Sequence, residues 1–434
     1  MWRFIYNLFL PVGFIFFLPG VIYKYRNRGG WKDTFAERFG IFSADRKEEL
    51  KAYHGAIWIH SVSVGETVLA VSMIEKYKKL YPGRKFVIST TTTTGQEIAR
   101  KKTPADTAVI FCPIDFPCMV KRTLNVIQPL MLVIFETELW PNMVAISHKR
   151  GIPVALVNGR MSDHSAKGYR RAKCFFAPML ETFNAVLVQS DLDAKRFLDV
   201  SPFANVQITG NLKFDQTPPA DLQKIDLAGY FGGNYGTVIL AASTHPGEED
   251  LITDSFSALK AKYPDLKLVI VPRHAERGSD IGEMIKNKNI ACCRRSCMEK
   301  SETPVDILVA DTTGEMFRFI ASCDIVIMGK SLAGQDEGHN LIEPALLSKP
   351  IVTGSVLRNF RFILDVLTAA DAVKTVKNDT ELTGILDSLV ADPDLRETLG
   401  RRASAALAVH CGASERTIEA LEKLLCPREN GDSK

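Results

Sequence analysis

The segment Phe135-Glu136-Thr137-Glu138-Leu139-Trp140-Pro141-Asn142 sets two carboxylates one residue apart, directly after an apolar run. A carboxylate held there can take or hold a proton during a transfer reaction; a purely structural role for one of the two is the competing reading. A further acid, Glu343, lies in Gly338-His339-Asn340-Leu341-Ile342-Glu343-Pro344. Asn340 is a suitable helix cap, which puts Glu343 on the first helical turn. From there it can accept hydrogen bonds from both hydroxyls of a ribose, or simply favour the helix dipole. The cations lie in Val271-Pro272-Arg273-His274. Arg273 can hold a phosphate through two parallel hydrogen bonds, or form a surface ion pair.

Three other loops join an apolar run to a helical pattern. His60-Ser61-Val62-Ser63-Val64-Gly65-Glu66 offers hydroxyls on Ser61 and Ser63, close approach at Gly65 and the amides of a helix start. That combination can hold an anion, although many α/β turns look like it. It lacks the GxGxxG pattern, which argues against a dinucleotide cofactor. Ser89 through Gly95 is either a hydroxyl-rich rim or a polar loop with a helix cap. Asp311-Thr312-Thr313-Gly314-Glu315 again leads into a helix, a second place for a phosphate.

These loops need a scaffold. Apolar runs at 56–60, 85–90, 130–135, 153–157, 185–189 and 206–209 alternate with helical patterns at 67–80, 95–101 and 141–150. A second series follows, with strands at 238–242, 266–271, 306–310, 324–328 and 350–353 and helices at 248–263, 315–321 and 340–347. Such alternation predicts α/β units whose parallel sheets are covered on both faces. The expected fold is GT-B, two Rossmann-like domains facing across a cleft, with ligands in the loops after the strands. The divisions are an N-terminal domain at 25–215, a Pro- and Gly-rich linker at 216–236, a C-terminal domain at 237–410, and a last amphipathic helix and tail at 411–434.

Residues 1–24 read as a membrane anchor. Phe4 to Tyr23 carries no charge, a run of the roughly 20 residues that cross a bilayer. Trp2, Tyr6 and Tyr23 suit the interface, and Lys24, Arg26 and Arg28 leave the body in the cytoplasm. Pro11, Gly13, Pro19 and Gly20 make a helix lying in one leaflet the rival reading.

Composition limits the rest. The 434 residues are 46% apolar and 24% charged, the balance of folded domains. A net charge of +4 without a concentrated basic motif argues against nucleic acid. Nine cysteines have no regular spacing. Cys292, Cys293 and Cys297 cluster, but no second ligand pair accompanies them, so no metal is expected and reduced thiols are.

Taken in order, Glu37-Arg38-Phe39-Gly40, His60 to Glu66, Glu136 to Asn142, Gly210-Asn211-Leu212-Lys213-Phe214-Asp215, Ser243-Thr244-His245-Pro246-Gly247-Glu248-Glu249, Pro272-Arg273-His274 and Gly338 to Glu343 resemble the Kdo transferases, glycosyltransferase family 30. The resemblance runs from the apolar N-terminus nearly to the chain's end. It implies transfer of 3-deoxy-D-manno-octulosonic acid (Kdo) from CMP-Kdo to the lipid A precursor lipid IVA, with inversion and without metal or cofactor, at the cytoplasmic side of the inner membrane. It implies that Glu37 is the base. On chemistry alone Glu37 reads as the ion-pair partner of Arg38 or another basic residue. The resemblance places CMP against Pro272, Arg273, Thr313, Gly314, Glu315, Asn340, Leu341, Ile342 and Glu343, puts Lys213 near the donor, and makes Glu138 the next candidate near catalysis. The other cleft candidates are Ser61, Ser63, Gly65 and Glu66. Three places depart from the family pattern: Ala36, the loop 329–338 with Asp336 and Glu337, and Asn158-Gly159-Arg160. The rival functions are another GT-B transferase or epimerase using a UDP-sugar, and a membrane-bound sugar-binding protein.

Overall fold

A computed structural model describes residues 3–14, 36–219, 221–297 and 303–426. The chain divides into two compact units, one of residues up to Gln216 together with those from Cys411 onward, the other of Thr217–His410.

In the first unit, β1 (Ile57–Ser61), β2 (Phe86–Thr90), β3 (Thr107–Phe111), β4 (Met131–Phe135), β5 (Val154–Gly159), β6 (Ala185–Val188) and β7 (Val206–Ile208) form one parallel sheet. Their order is β3-β2-β1-β4-β5-β6-β7. Successive strand residues serve opposite faces. Ile57 and Ile59 join Met131, Val133 and Phe135 in one core, while Trp58 joins Leu132, Ile134 and Leu156 in the other. Chain order reverses between β1 and β4, so the loops after these two strands flank the crevice where open α/β sheets take ligands.

The second unit repeats the plan with β8 (Val238–Thr244), β9 (Lys267–Pro272), β10 (Cys292–Arg294), β11 (Ile307–Val309), β12 (Ile325–Met328), β13 (Ile351–Gly354) and β14 (Val373–Val376). They are parallel, in the order β10-β11-β9-β8-β12-β13-β14, with the reversal between β8 and β12.

Two divisions expected from sequence move. Residues 217–236 are no free linker: Ile225, Leu227, Tyr230 and Phe231 are buried in the second unit. The last helix, Ala413–Leu425, is a layer of the first unit, because its apolar face (Ala413, Ile418, Leu421) joins the core of Met73, Ile74 and Tyr77. Glu422 secures it, accepting from the Tyr77 hydroxyl at 2.6 Å and from Arg84 at 2.6 and 2.8 Å. Strands β3, β10 and β14 also went unread. β10 and β14 are short and mixed in polarity, and β3 follows a polar stretch.

The run Phe4–Tyr23 is described only to residue 14; the rest of it lies outside the described residues. Residues 3–14 are helical and dock on the first unit. Asn7 donates to Asn142 Oδ1 at 3.0 Å, and the Phe14 ring meets Phe116 edge-on at 5.4 Å. No helix among the described residues is long and apolar enough to cross a membrane.

Candidate functional site

The crevice of the first sheet collects acids. Ser63 caps the helix Val64–Leu80, accepting from Glu66 N at 3.3 Å, while the Glu66 carboxylate reaches back to Val62 N at 2.7 Å. This reciprocal cap fills the helix start with a buried carboxylate and makes it a poor place for an anion. Ser61 is buried and bonded to Thr67 Oγ1 at 3.0 Å; Gly65 lies exposed beside the cap. Thr92 caps the next helix, its hydroxyl accepting from Gly95 N at 3.1 Å, so this member of the threonine segment is a helix cap.

Across the crevice, Glu136 follows β4 directly, with φ +55°. A non-glycine residue in that region stores strain, which active sites often do. Burial raises the Glu136 pKa, with Glu66 adding to the rise and Lys213 and Arg160 opposing it. Burial also raises Glu138, helped by Glu66 and Glu136. Burial lowers Lys213, against the pull of Glu136. The loop bearing Lys213 is pinned by Asn158, buried at φ +57° in the β5 bulge, whose Oδ1 accepts from Leu212 N at 3.1 Å. Glu136, Glu138 and Lys213 thus share one low-dielectric space beside Glu66, and for Glu136 and Glu138 that is the setting in which a carboxyl keeps its proton more readily.

Glu37 lies elsewhere on this unit, at the outer edge of the sheet. Its carboxylate accepts from Arg46 Nε at 3.3 Å and from Phe111 N, the last residue of β3, at 2.9 Å. It lines a cavity of about 680 Å³ with Ile41, Arg46, Glu49, Tyr53 and Arg100. Arg38 does not pair with it; that guanidinium donates to Thr91 O and lies over the Phe111 ring.

In the second unit the nucleotide candidates stand after β9, β11 and β12. Arg273 is exposed, and its guanidinium has no hydrogen bond or ion pair among the described residues, so the surface-ion-pair reading falls away. Asn340 Oδ1 accepts from Ile342 N at 3.2 Å, turning the chain into the helix Ile342–Leu346, and its amide donates to Glu343 at 3.3 Å. Burial raises the Glu343 pKa against that one hydrogen bond. Pro272 closes β9, and Leu341 and Ile342 are buried beneath the turn. Thr313 and Gly314 are exposed, with Gly314 at φ +84° and open space around it. The Glu315 carboxylate is already spent: Arg295 above all, with Thr312 and Arg318, holds it down to about 2. This loop therefore offers its backbone and Thr313, not the acid.

Behind them sits Glu248, fully buried, accepting from the amides of Lys330, Ser331 and Leu332 at 2.8–2.9 Å and of His245 at 2.8 Å. It fixes the loop after β12 against β8. Gly329 makes the approach feasible, since a Cβ there would lie 2.5 Å from the Ser243 carbonyl oxygen. The acids of that loop are neutralised, Asp336 by Arg358 and Glu337 by Lys330, each at 2.5 Å.

Residues 33–216 match the family described as 3-deoxy-D-manno-octulosonic-acid transferase. A Kdo transferase of Haemophilus influenzae is 31% identical over 98% of this chain and 99% of its own, and one of Bordetella pertussis is 31% identical over 92% and 94%. The chain belongs to the Kdo transferase family. It is accordingly a glycosyltransferase. Its two parallel-sheet units are those of GT-B glycosyltransferases: a solved glycosyltransferase from Rickettsia africae superposes with a TM-score of 0.58, at 13% identity, over 86% of this chain and 99% of the other.

In this Kdo transferase the first sheet gathers Glu66, Glu136, Glu138 and Lys213 as one group and keeps Glu37 in a separate setting with Arg46. The second gathers Arg273, Asn340 and Glu343 around the end of β9 and the loop after β12. Sequence reasoning missed Glu248, whose buried position in Gly247-Glu248-Glu249 carries no local signal. It also missed Asp115, which caps the helix Pro141–Lys149 through Asn142 N and Met143 N at 2.9 and 2.8 Å and is pushed up to about 6 by burial. Cys292 and Cys293 are adjacent on β10, so they face opposite ways. No cluster of His, Cys, Asp or Glu suited to a metal occurs among the described residues.

Proposed function

We propose that this Kdo transferase moves Kdo from CMP-Kdo to a hydroxyl of lipid IVA, with inversion. The observation that carries the donor assignment is that Arg273, whose guanidinium has no partner among the described residues, and the half-buried, sparsely bonded carboxylate of Glu343 both follow strands of the second sheet, β9 and β12. Arg273 meets the phosphate, and Glu343 takes the ribose hydroxyls. Glu37 removes the acceptor hydroxyl's proton as its oxygen attacks the anomeric carbon; the bond to the phosphate oxygen breaks, and CMP leaves with that electron pair. Arg46 orients the base, and Arg273 stabilises the charge growing on the phosphate.

The acceptor assignment draws support from the apolar outer face of residues 3–14. Phe4, Leu8 and Phe9 are 74%, 59% and 64% exposed, with Ile5 and Val12 beside them, while the opposite face bonds to Asn142. A helix of that kind lies in a membrane interface, where a lipid acceptor is found. We place the protein at the cytoplasmic side of the bacterial inner membrane.

The test is mass spectrometry of the lipid after incubation with CMP-Kdo and lipid IVA. Product heavier by whole Kdo units is expected, with Glu37→Gln slowing turnover by roughly a hundredfold or more while CMP still raises the unfolding temperature. Near-normal turnover in that variant overturns the base; stabilisation by UDP rather than CMP overturns the donor.

A further inference from the structure

Two imidazoles meet at the carboxyl end of the second sheet. His245 follows β8 and His339 lies in the loop after β12, the two strands between which chain order reverses. Their Nε2 atoms are 3.1 Å apart, and their rings stack at 23° with centroids 5.3 Å apart. Two ring nitrogens at that separation are joined by one proton; a second would set two N–H groups against each other. The His274 ring stands edge-on to His245 at 6.0 Å.

The charged groups facing this pair come from every element packed around it. Lys330 and Glu337 belong to the loop after β12, Arg273 and His274 to the end of β9, Arg277 to the turn that follows, and Glu249 to the helix Glu248–Lys260. Both carboxylates are taken, Glu249 by Arg277 at 2.7 Å and Glu337 by Lys330 at 2.5 Å. Among the described residues Arg273 has no counter-charge. Burial first, and then these cations, lower both imidazoles, His339 to about 4. The empty pair is therefore neutral at pH 7, beside a surplus positive charge.

An arriving oxyanion reverses the balance. It offsets the cations, and its oxygens accept N–H bonds that two neutral stacked rings, sharing one proton, cannot both give. We propose that His245 and His339 form an oxyanion site for the donor, taking up a proton as the anion binds. This rests on the donor assignment above and extends it past the nucleoside. The oxyanion is the phosphate or the sugar carboxylate, which share this chemistry.

Calorimetric titration of the full chain at pH 7, in buffers of differing ionisation enthalpy, counts the protons. The probe is the methyl ester of CMP, whose phosphate does not itself titrate near neutrality. Binding with uptake of up to about one proton is expected, with affinity falling as pH rises. His245→Asn and His339→Asn each remove the uptake and weaken binding about tenfold, the worth of one charge-assisted hydrogen bond. Cytidine shows no uptake. If free Kdo elicits it and the ester does not, the carboxylate is the anion. Ester and Kdo both binding without uptake, in the wild-type protein and so without reliance on any variant, overturns the pair alone. Failure of every cytidine compound to bind overturns the donor assignment as well.

Discussion

Glu248 Oε2 accepts from the backbone amide of Lys330 at 2.8 Å, and the same carboxylate collects Ser331, Leu332 and His245. One buried side chain on a helix start thus sets the shape of the loop that leads to His339, Asn340 and Glu343. Glu248→Gln has the same shape but presents one oxygen and an NH₂ group to four donors. Amides lose their acceptor, at about 1–3 kcal/mol for each one left buried and unbonded. The second unit is expected to unfold several degrees earlier, and CMP affinity to fall, although Glu248 touches no nucleotide in this scheme. Thermal unfolding with and without CMP reads both. A variant that unfolds like the wild type would show that the loop holds itself.

His60 sets a pH limit on the first unit. It is fully buried, with Nδ1 3.0 Å from Ser89 Oγ, and burial holds its pKa down to about 4. A depressed histidine contributes stability that is present above its unfolded value of about 6.5 and is lost as pH falls through that value toward 4. Over that interval the loss is on the order of 3 kcal/mol. Denaturant unfolding followed by tryptophan fluorescence suits the measurement, because Trp58 donates to the same Ser89 hydroxyl at 2.8 Å and Trp140 lies edge-on to the His60 ring. His60→Asn is expected to be less stable at pH 7.5 but flatter between pH 6.5 and 4; equal slopes would assign the acid sensitivity to other groups.

The outer face of residues 3–14 predicts membrane binding that weakens in steps. Burying a phenylalanine in the interface contributes about 2 kcal/mol, so Phe4→Ser and Phe9→Ser each lower partitioning onto anionic vesicles by roughly tenfold or more. Flotation of each variant with vesicles measures this, with soluble activity on a short-chain acceptor as the control for folding. Unchanged flotation of the double variant would remove this helix from membrane attachment.

Much of this architecture could be read before any coordinates. Buried parallel strands are continuous apolar runs, so Ile57–Ser61, Met131–Phe135 and Lys267–Pro272 announce themselves. The turn at Asn340 was legible too, although Leu341, not Asn340, holds the cap position and Asn340 bonds Ile342 N from one residue before it. What stayed hidden depends on distance along the chain. Asp115 caps a helix 27 residues on, and Glu422 binds Arg84 from 338 residues away. The loop acids Asp336 and Glu337, a departure from the family pattern, have partners, Arg358 and Lys330, that spacing could not assign. For Glu37 chemistry alone led to an ion pair with Arg38 or another basic residue, and the structure supplies Arg46; nothing in Ala36-Glu37-Arg38 foretells that partner or the Phe111 amide.

Glu343 offers the sharpest test of how the nucleotide is read. Its carboxylate is half-buried and, among the described residues, has one hydrogen bond, from Asn340 at 3.3 Å, so its remaining lone pairs can accept. If they accept both ribose hydroxyls, the wild-type protein prefers CMP to 2′-deoxy-CMP. A lost hydrogen bond to a charged group is worth about 1.5–3 kcal/mol, which sets the preference at roughly tenfold to a hundredfold. Glu343→Gln should bind CMP more weakly and barely distinguish the two. Burial raises the carboxyl's pKa, so proton loss is the step that prepares it. The preference is therefore weaker at low pH and grows as the pH rises through its shifted value. Affinities of both nucleotides for both proteins, taken from pH 5 to 8, decide the matter. A wild-type protein indifferent to the 2′-hydroxyl would leave Glu343 with helix stabilisation alone.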